Sequence, residues 1–146
     1  MYLLTIRFRA FPAAHAPAWH QHLLDHFFYD AENRMALYHG MAARGIRNKY
    51  LKDLFVQWRG VMAAYDEGLV KGDAVLATAV WRNVFKADKE VYGEKLAEVV
   101  GYMRRWVSEL DRMDDFDVAS GNIIFGGAER EREVVSEESP RMKEPV

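Results

Sequence analysis

The chain has 146 residues, of which 50% are hydrophobic, 13% aromatic and 29% charged, with a net charge of −2. This composition fits one folded domain and excludes global disorder, which requires low hydrophobicity and high net charge. Because there is no cysteine, disulfide bonds, thiol chemistry and cysteine-based metal sites are excluded. No segment reaches the roughly 20 mostly apolar residues that span a bilayer.

Positive charge is concentrated in the first part of the chain. Residues 1–59 contain eight Lys/Arg and four Asp/Glu, a net of +4, whereas residues 60–117 and 118–146 carry −4 and −2. The whole chain is therefore not a basic nucleic-acid binder, but its first part can present a local positive patch. A dipolar, solvated surface is the alternative interpretation.

The first two segments differ in how clearly they specify a structure. Alternation over residues 5–9 fits a strand, whereas the apolar run before it fits the end of a buried helix. A helix is predicted from Pro17 to Tyr38, before Gly40. Its apolar side comprises Trp19, Leu23, Phe27, Ala31 and Tyr38. Asp30 and Arg34, four residues apart, predict a partly buried ion pair.

A long helix is predicted from Arg44 to Glu67. Its apolar stripe comprises Ile46, Tyr50, Leu54, Trp58, Val61 and Tyr65. Arg47 points toward this stripe, so we expect it to pair with a carboxylate. Gly68 and Gly72 are expected to supply turn geometry, and Asp73 to cap the next helix.

Two further helices follow. Residues 74–85 are apolar nearly all round and contain three alanines, which predicts the most enclosed helix. The last long helix begins at Lys89 or Gly93 and ends at Met113, and Gly93 and Gly101 predict bending or close packing within it. Its buried stripe comprises Leu96, Val99, Met103, Val107 and Leu110.

The pattern as a whole predicts an all-α protein. We expect a single compact helical domain of about five helices over residues 1–127. The charged sequence of residues 128–146 predicts a mobile tail.

The histidines are candidates for metal binding. His22 and His26 are four residues apart and share a helix face, but a site would need further ligands from another helix. The HExxH and ExxH motifs are absent. Ordinary surface histidines, some hydrogen-bonded at the margin of the core, are the alternative.

Motifs for covalent catalysis and phosphate binding are absent from the sequence. No serine stands in a GxSxG motif, and neither a P-loop nor a GxGxxG motif is present. We therefore predict no enzymatic activity and no cofactor.

The segment from Tyr65 to Asp73 is rich in polar residues and lies between two apolar helices, so it is a candidate for docking a partner. The alternative is that the glycines make the turn, while Asp66 or Glu67 meets a basic residue.

Several long runs carry a resemblance to a known family. They are LLTIRFRAFP (3–12), HFFYDAENRM (26–35), YLKDLF (50–55) and YDEGLVKGDAVLATAVWRN (65–83). Over residues 2–113 the chain resembles the ubiquinol–cytochrome c chaperone family, in its fungal form.

The resemblance implies an all-helical, non-enzymatic assembly chaperone for the mitochondrial cytochrome bc1 complex (complex III). It implies a heterodimer with a small helical co-chaperone that binds newly made cytochrome b at the mitochondrial ribosome. The expected location is the matrix side of the inner membrane, with a peripheral membrane contact and a targeting region upstream of the first residue. A structural adaptor that only scaffolds its partner, or a metal-binding protein using His22 and His26, are the alternatives.

Two surfaces are predicted from these considerations. The residues expected to bind protein are Tyr65, Asp66, Glu67, Leu69, Trp81 and Arg82. The residues expected to contact the ribosome or another anionic surface are Arg44, Lys49, Lys52 and Arg59. A solvated helix face is the alternative for the second set.

Overall fold

A computed structural model describes residues 1–137 of the chain. All regular elements in this range are helices, which confirms the all-α prediction. The helices are α1 (Tyr2–Arg9), α2 (Ala16–Leu37), α3 (Arg44–Lys71), α4 (Asp73–Asn83), α5 (Gly93–Arg112), α6 (Asp115–Ala119) and α7 (Glu129–Ser136). They form two compact units, the first over Met1–Ala63 and the second from Ala64 onward. The prediction of a single domain stays a prediction.

The opening segment is helical, which resolves the strand–helix ambiguity. Phe8 is buried, with its ring centroid 5.3 Å from that of Phe11 and 5.5 Å from that of Trp19. The ring nitrogens of His20 lie 2.9 Å from the carbonyl oxygens of Ala16 and Thr5. This aromatic cluster is the buried part of the first unit.

Helix α2 and the part of α3 in the first unit bury little of their apolar surface. No residue of α2 is buried, and Tyr38, expected on its apolar side, is 79% exposed. Ile46 and Tyr50 of the predicted α3 stripe are also exposed. The periodicity therefore identifies both helices correctly, but it does not determine how far they are buried.

Two predicted ion pairs form in this unit. Arg47 Nε donates to Glu32 Oε1 at 3.2 Å, which confirms that Arg47 pairs with a carboxylate. Arg34 Nε donates to Asp30 Oδ2 at 2.8 Å, but both side chains are exposed, so the prediction of partial burial is wrong for this pair.

A close contact joins the end of α3 to α4 in the second unit. A Cβ atom on Gly68 would lie 2.5 Å from the Cα atom of Leu76, which is fully buried. Gly68 thus permits close packing inside a helix, while Gly72, with φ of +115°, makes the turn. Gly72 is also the N-cap of α4, so the prediction that Asp73 caps this helix is wrong.

Arg104 of α5 binds both helices at the corner between α3 and α4. Its Nε donates to Asp73 Oδ1 at 2.8 Å, and its Nη1 donates to the carbonyl oxygen of Leu69 at 2.9 Å. The guanidinium group therefore meets the negative end of the α3 dipole and also binds the Asp73 carboxylate.

The core of the second unit lies between α4 and α5. Leu76, Ala79 and Val80 are almost completely buried. The prediction that α4 is the most enclosed helix is wrong, because α4 buries three of its 11 residues whereas α1 buries four of its eight. On α5, Met103 and Leu110 are buried as expected. The buried residues Val100 and Trp106 also belong to this core, although they lie outside the predicted stripe.

Helix α7 occupies part of the region where a mobile tail was expected, and this corrects the prediction for residues 129–136. Glu131 is buried and accepts hydrogen bonds from Arg105 Nε and Nη2, the latter at 3.0 Å. A Cβ atom on Gly101 would lie 3.1 Å from the Glu131 Cγ atom, so α7 packs closely on α5. The predicted domain boundary at residue 127 therefore falls inside a packed unit. The remainder of the predicted tail, residues 138–146, lies outside the described residues.

The corner between α3 and α4 yields a testable prediction. Gly68→Ala should lower the free energy of unfolding by about 1–3 kcal/mol, because its methyl group would overlap the backbone of Leu76. Gly60→Ala, on the same helix with no atom within 4 Å of its Cβ position, should raise it by about 0.5–1 kcal/mol. Urea unfolding measures both variants. Equal effects of the two substitutions would contradict the close contact.

Candidate protein-binding surfaces

The predicted docking surface around the α3–α4 turn is only partly accessible. Tyr65 is 7% exposed, and its burial raises the pKa of the phenol. Its role in protein binding stays a prediction. Trp81 is half-buried, and its indole N–H donates to the Asp88 carbonyl oxygen at 2.7 Å. These two aromatic side chains therefore serve the structure of the second unit. Asp66 and Leu69 are half-buried.

Charged members of the same set remain exposed. Lys71 Nζ donates to Glu67 Oε1 at 2.6 Å, which confirms that one acid of the turn meets a basic residue. This hydrogen bond is the main cause of the lowered pKa of Glu67, and the charge of Arg82 also contributes. Because the pair is exposed, it adds little to stability. The accessible surface here is formed by Glu67, Arg82 and Val70, which is 87% exposed.

The four predicted basic residues are all exposed along α3. They are Arg44, Lys49, Lys52 and Arg59. In the part of the chain that the structure describes, none of the four has a carboxylate within ion-pair distance. They cover about 22 Å of helix, at a rise of 1.5 Å per residue.

A groove in the first unit was not anticipated from the sequence. It has a volume of about 620 Å³ and lies between α2 and α3. The lining residues are Phe28, Asn48, Leu51, Lys52, Phe55 and Val56. The signal was present in the sequence, since Leu51, Phe55 and Val56 are apolar but fall outside the predicted stripe of α3.

A second groove lies within the second unit, along α5. It has a volume of about 740 Å³ and is bordered by α4, α5 and α7. Alanine, valine and leucine side chains form much of its surface, and Arg105, Arg112 and Arg130 contribute positive charge. Asp73, Glu109 and Glu131 also line it, so its formal charge is balanced.

The structure does not assemble the metal site considered as an alternative. His22 and His26 are exposed on α2. Among residues 1–137, no three His, Cys, Asp or Glu side chains are grouped so that they could hold a metal ion. Over the same residues, no helix combines the length and apolar character of a membrane span.

Exposed apolar side chains and cations without an ion-pair partner among residues 1–137 thus lie on a helical scaffold. A family model described as ubiquinol-cytochrome C chaperone matches residues 1–125, and the chain belongs to that family. The family is one of chaperones rather than enzymes.

Three relatives show the extent of the similarity. The chain is 37% identical over 124 residues to "Protein CBP3, mitochondrial" of Saccharomyces cerevisiae, covering 85% of this chain and 37% of that protein. It is 35% identical over 63 residues to "Ubiquinol-cytochrome c reductase complex assembly factor 1" of Drosophila melanogaster, covering 43% of this chain and 24% of the relative. The corresponding Xenopus laevis protein is 36% identical over 62 residues, which cover 42% of this chain and 30% of the relative.

The matched part of each relative is thus less than two fifths of that protein's length. No solved structure matches the chain.

The ion pair on α7 yields a prediction for the second groove. The hydrogen bonds that Glu131 accepts from Arg105 are the main cause of the lowered pKa of the Glu131 carboxyl, whose ordinary value is 4.5. Because the folded-state pKa is lowered, this contribution to stability is present above about pH 4.5 and is lost as the pH falls through the lower folded-state value. After correction for the slower intrinsic exchange of amides in acid, hydrogen exchange in residues 129–136 should therefore accelerate as the pH falls.

Glu131→Gln should accelerate this exchange at neutral pH and reduce its dependence on acid, because Arg105 loses its carboxylate partner. Glu133→Gln, an exposed site on the same helix, is the matched control and should change neither. Equal exchange rates in the two variants would show that the Arg105–Glu131 pair does not hold α7.

Proposed function

We propose that this chain is a non-enzymatic assembly chaperone for mitochondrial ubiquinol–cytochrome c reductase, complex III. Membership of the chaperone family supports this proposal. The relatives also support it, since they include a protein named as mitochondrial and two named as assembly factors of the reductase.

The observation that carries the proposal is the apolar surface left exposed in the first unit. Tyr29 and Leu37 of α2 and Ile46, Tyr50 and Val56 of α3 are all exposed. Exposed apolar side chains are typical of sites that bind other proteins where they form a patch. A chaperone for an apolar membrane protein needs such a surface, because burial of apolar area is the main favourable term in protein association.

The client in this proposal is newly made cytochrome b. The chain binds it together with a small helical co-chaperone, at the mitochondrial ribosome on the matrix side of the inner membrane. Glu67, Leu69 and Arg82 are the accessible or half-buried part of the surface predicted to bind protein. The four cations of α3 supply the contact with the ribosome or another anionic surface, including a peripheral contact with the membrane.

A photo-crosslinking experiment tests the proposal. A photoreactive amino acid at Tyr50, in the full chain, should label cytochrome b during mitochondrial translation, because this exposed side chain lies on the apolar surface. The same group at Thr78, an exposed polar position on α4, is the control. Labelling of a co-chaperone alone, from every position, would support the structural adaptor instead.

The basic residues lead to a separate prediction. Lys49→Glu combined with Lys52→Glu should release the protein from ribosomes at lower salt, because cation–anion contacts across an interface are screened by salt. Sedimentation through sucrose at a series of salt concentrations measures the effect. The matched control combines Lys86→Glu with Lys89→Glu, two exposed lysines of the second unit. An unchanged salt profile in the first variant would remove these cations from the contact.

A further inference from the structure

We propose that the groove of the first unit docks an acidic amphipathic helix of a partner protein. This inference rests on the proposed function and divides its four cations: Lys52 and Arg59 contact the partner helix, which leaves Arg44 and Lys49 for the ribosome or another anionic surface. The groove combines an apolar floor with cations that have no ion-pair partner among residues 1–137.

The floor of the groove is apolar and comes from two helices. Phe28 of α2 and Phe55 of α3 have ring centroids 5.9 Å apart, and both line the groove together with Leu51 and Val56. Val56 is 69% exposed and Phe55 is 43% exposed, although both are apolar. An amphipathic helix buries its apolar side in such a groove through residues spaced three and four apart.

The cations next to this floor are uncompensated. Lys52 lines the groove, and Arg59 lies on the same side of α3, about 20° away around a helix of 3.6 residues per turn. Neither has an ion-pair partner within residues 1–137. Arg47 differs, because Glu32 and the carbonyl oxygens of Met41 and Ala42 accept its hydrogen bonds.

The acidic residues of the first unit do not neutralise the positive patch formed by Lys52 and Arg59. Asp25 accepts a hydrogen bond from Gln21, and Asp30 is paired with Arg34. Asp53 of α3 lies about 100° around the helix from Lys52. The positive patch therefore needs negative charge from another molecule, and acidic side chains flanking an apolar stripe supply it.

The composition of the floor favours a protein helix over the other anionic partners. RNA strands gain affinity from cations and from aromatic stacking, and Phe28 and Phe55 line the groove, so the preference for a protein helix rests on the aliphatic side chains of Leu51 and Val56. A bilayer presents a flat surface, whereas Phe28 and Leu51 are half-buried within the groove. A helix with an apolar stripe between acidic flanks fits both the apolar floor of the groove and the cations beside it.

A synthetic peptide provides the test. The probe is a fluorescent amphipathic helix with leucines on one side and glutamates elsewhere, and its matched control carries lysines in place of the glutamates. Fluorescence anisotropy with the purified chain should detect binding of the acidic peptide and weaker binding of the basic one. Val56→Asp and Lys52→Glu should each weaken binding of the acidic peptide about tenfold.

Val70→Asp is the matched control variant, because Val70 is 87% exposed on the same helix and does not line the groove. It should leave the affinity unchanged. Circular dichroism of each variant verifies that the helices are retained. Equal affinity for the acidic and basic peptides, or an affinity unchanged by Val56→Asp, would overturn the proposal.

Two further probes separate the remaining anionic partners. An RNA oligonucleotide or an anionic phospholipid vesicle that binds more tightly than the acidic peptide would overturn the proposal in favour of that partner. The crosslink from Tyr50 to cytochrome b is measured independently. If that crosslink forms while the acidic peptide fails to bind, the docking proposal is wrong and the chaperone function stands; the reverse result contradicts the chaperone function.

Discussion

Unequal burial of apolar side chains is the constraint on which the rest of this structure depends. In the second unit, Leu76, Val80 and Leu110 are almost completely buried, so α4 and α5 have a packed core of their own. In the first unit, burial is confined to α1 and the residue Phe11 that follows it, and α2 contributes no buried residue. Long helices whose apolar sides remain exposed gain stability when another protein covers them. This imbalance links the fold to a binding function.

Arginine side chains have different roles in the two units. Arg104 and Arg105 each join distant segments of the second unit, at the α3–α4 corner and at α7. In the first unit, Arg47 joins α3 to Glu32 of α2, while Lys52 and Arg59 have no ion-pair partner among residues 1–137. Lys52 and Arg59 are therefore the cations of the first unit that the proposed docking contact uses.

The sequence predicts the helices better than it predicts their surroundings. Periodicity and end signals locate α2 to α5, because these signals are local. Burial depends on contacts between residues that are distant in the sequence. Tyr65 was therefore expected on a surface although it is buried, and Tyr38 on a buried side although it is exposed. Helix α7 could not be recognised from a charged run, because Glu131 is stabilised by Arg105, 26 residues away. Aspartate is a residue type that often caps helices, but the carboxylate of Asp73 binds the guanidinium group of Arg104, which is distant in the sequence. The groove next to Val56 could have been predicted, because Leu51, Phe55 and Val56 form a second set of apolar residues on α3 outside its predicted stripe.

Hydrogen–deuterium exchange tests the central claim most directly, by comparing the isolated chain with the chain purified together with cytochrome b. The account predicts fast exchange along α2 and residues 44–63 in the isolated chain and slow exchange at α4 and α5. In the complex, α2 and residues 44–63 should gain protection, because the partner covers their apolar sides. Equal exchange of α2 in both samples, with new protection confined to the second unit, would contradict the account.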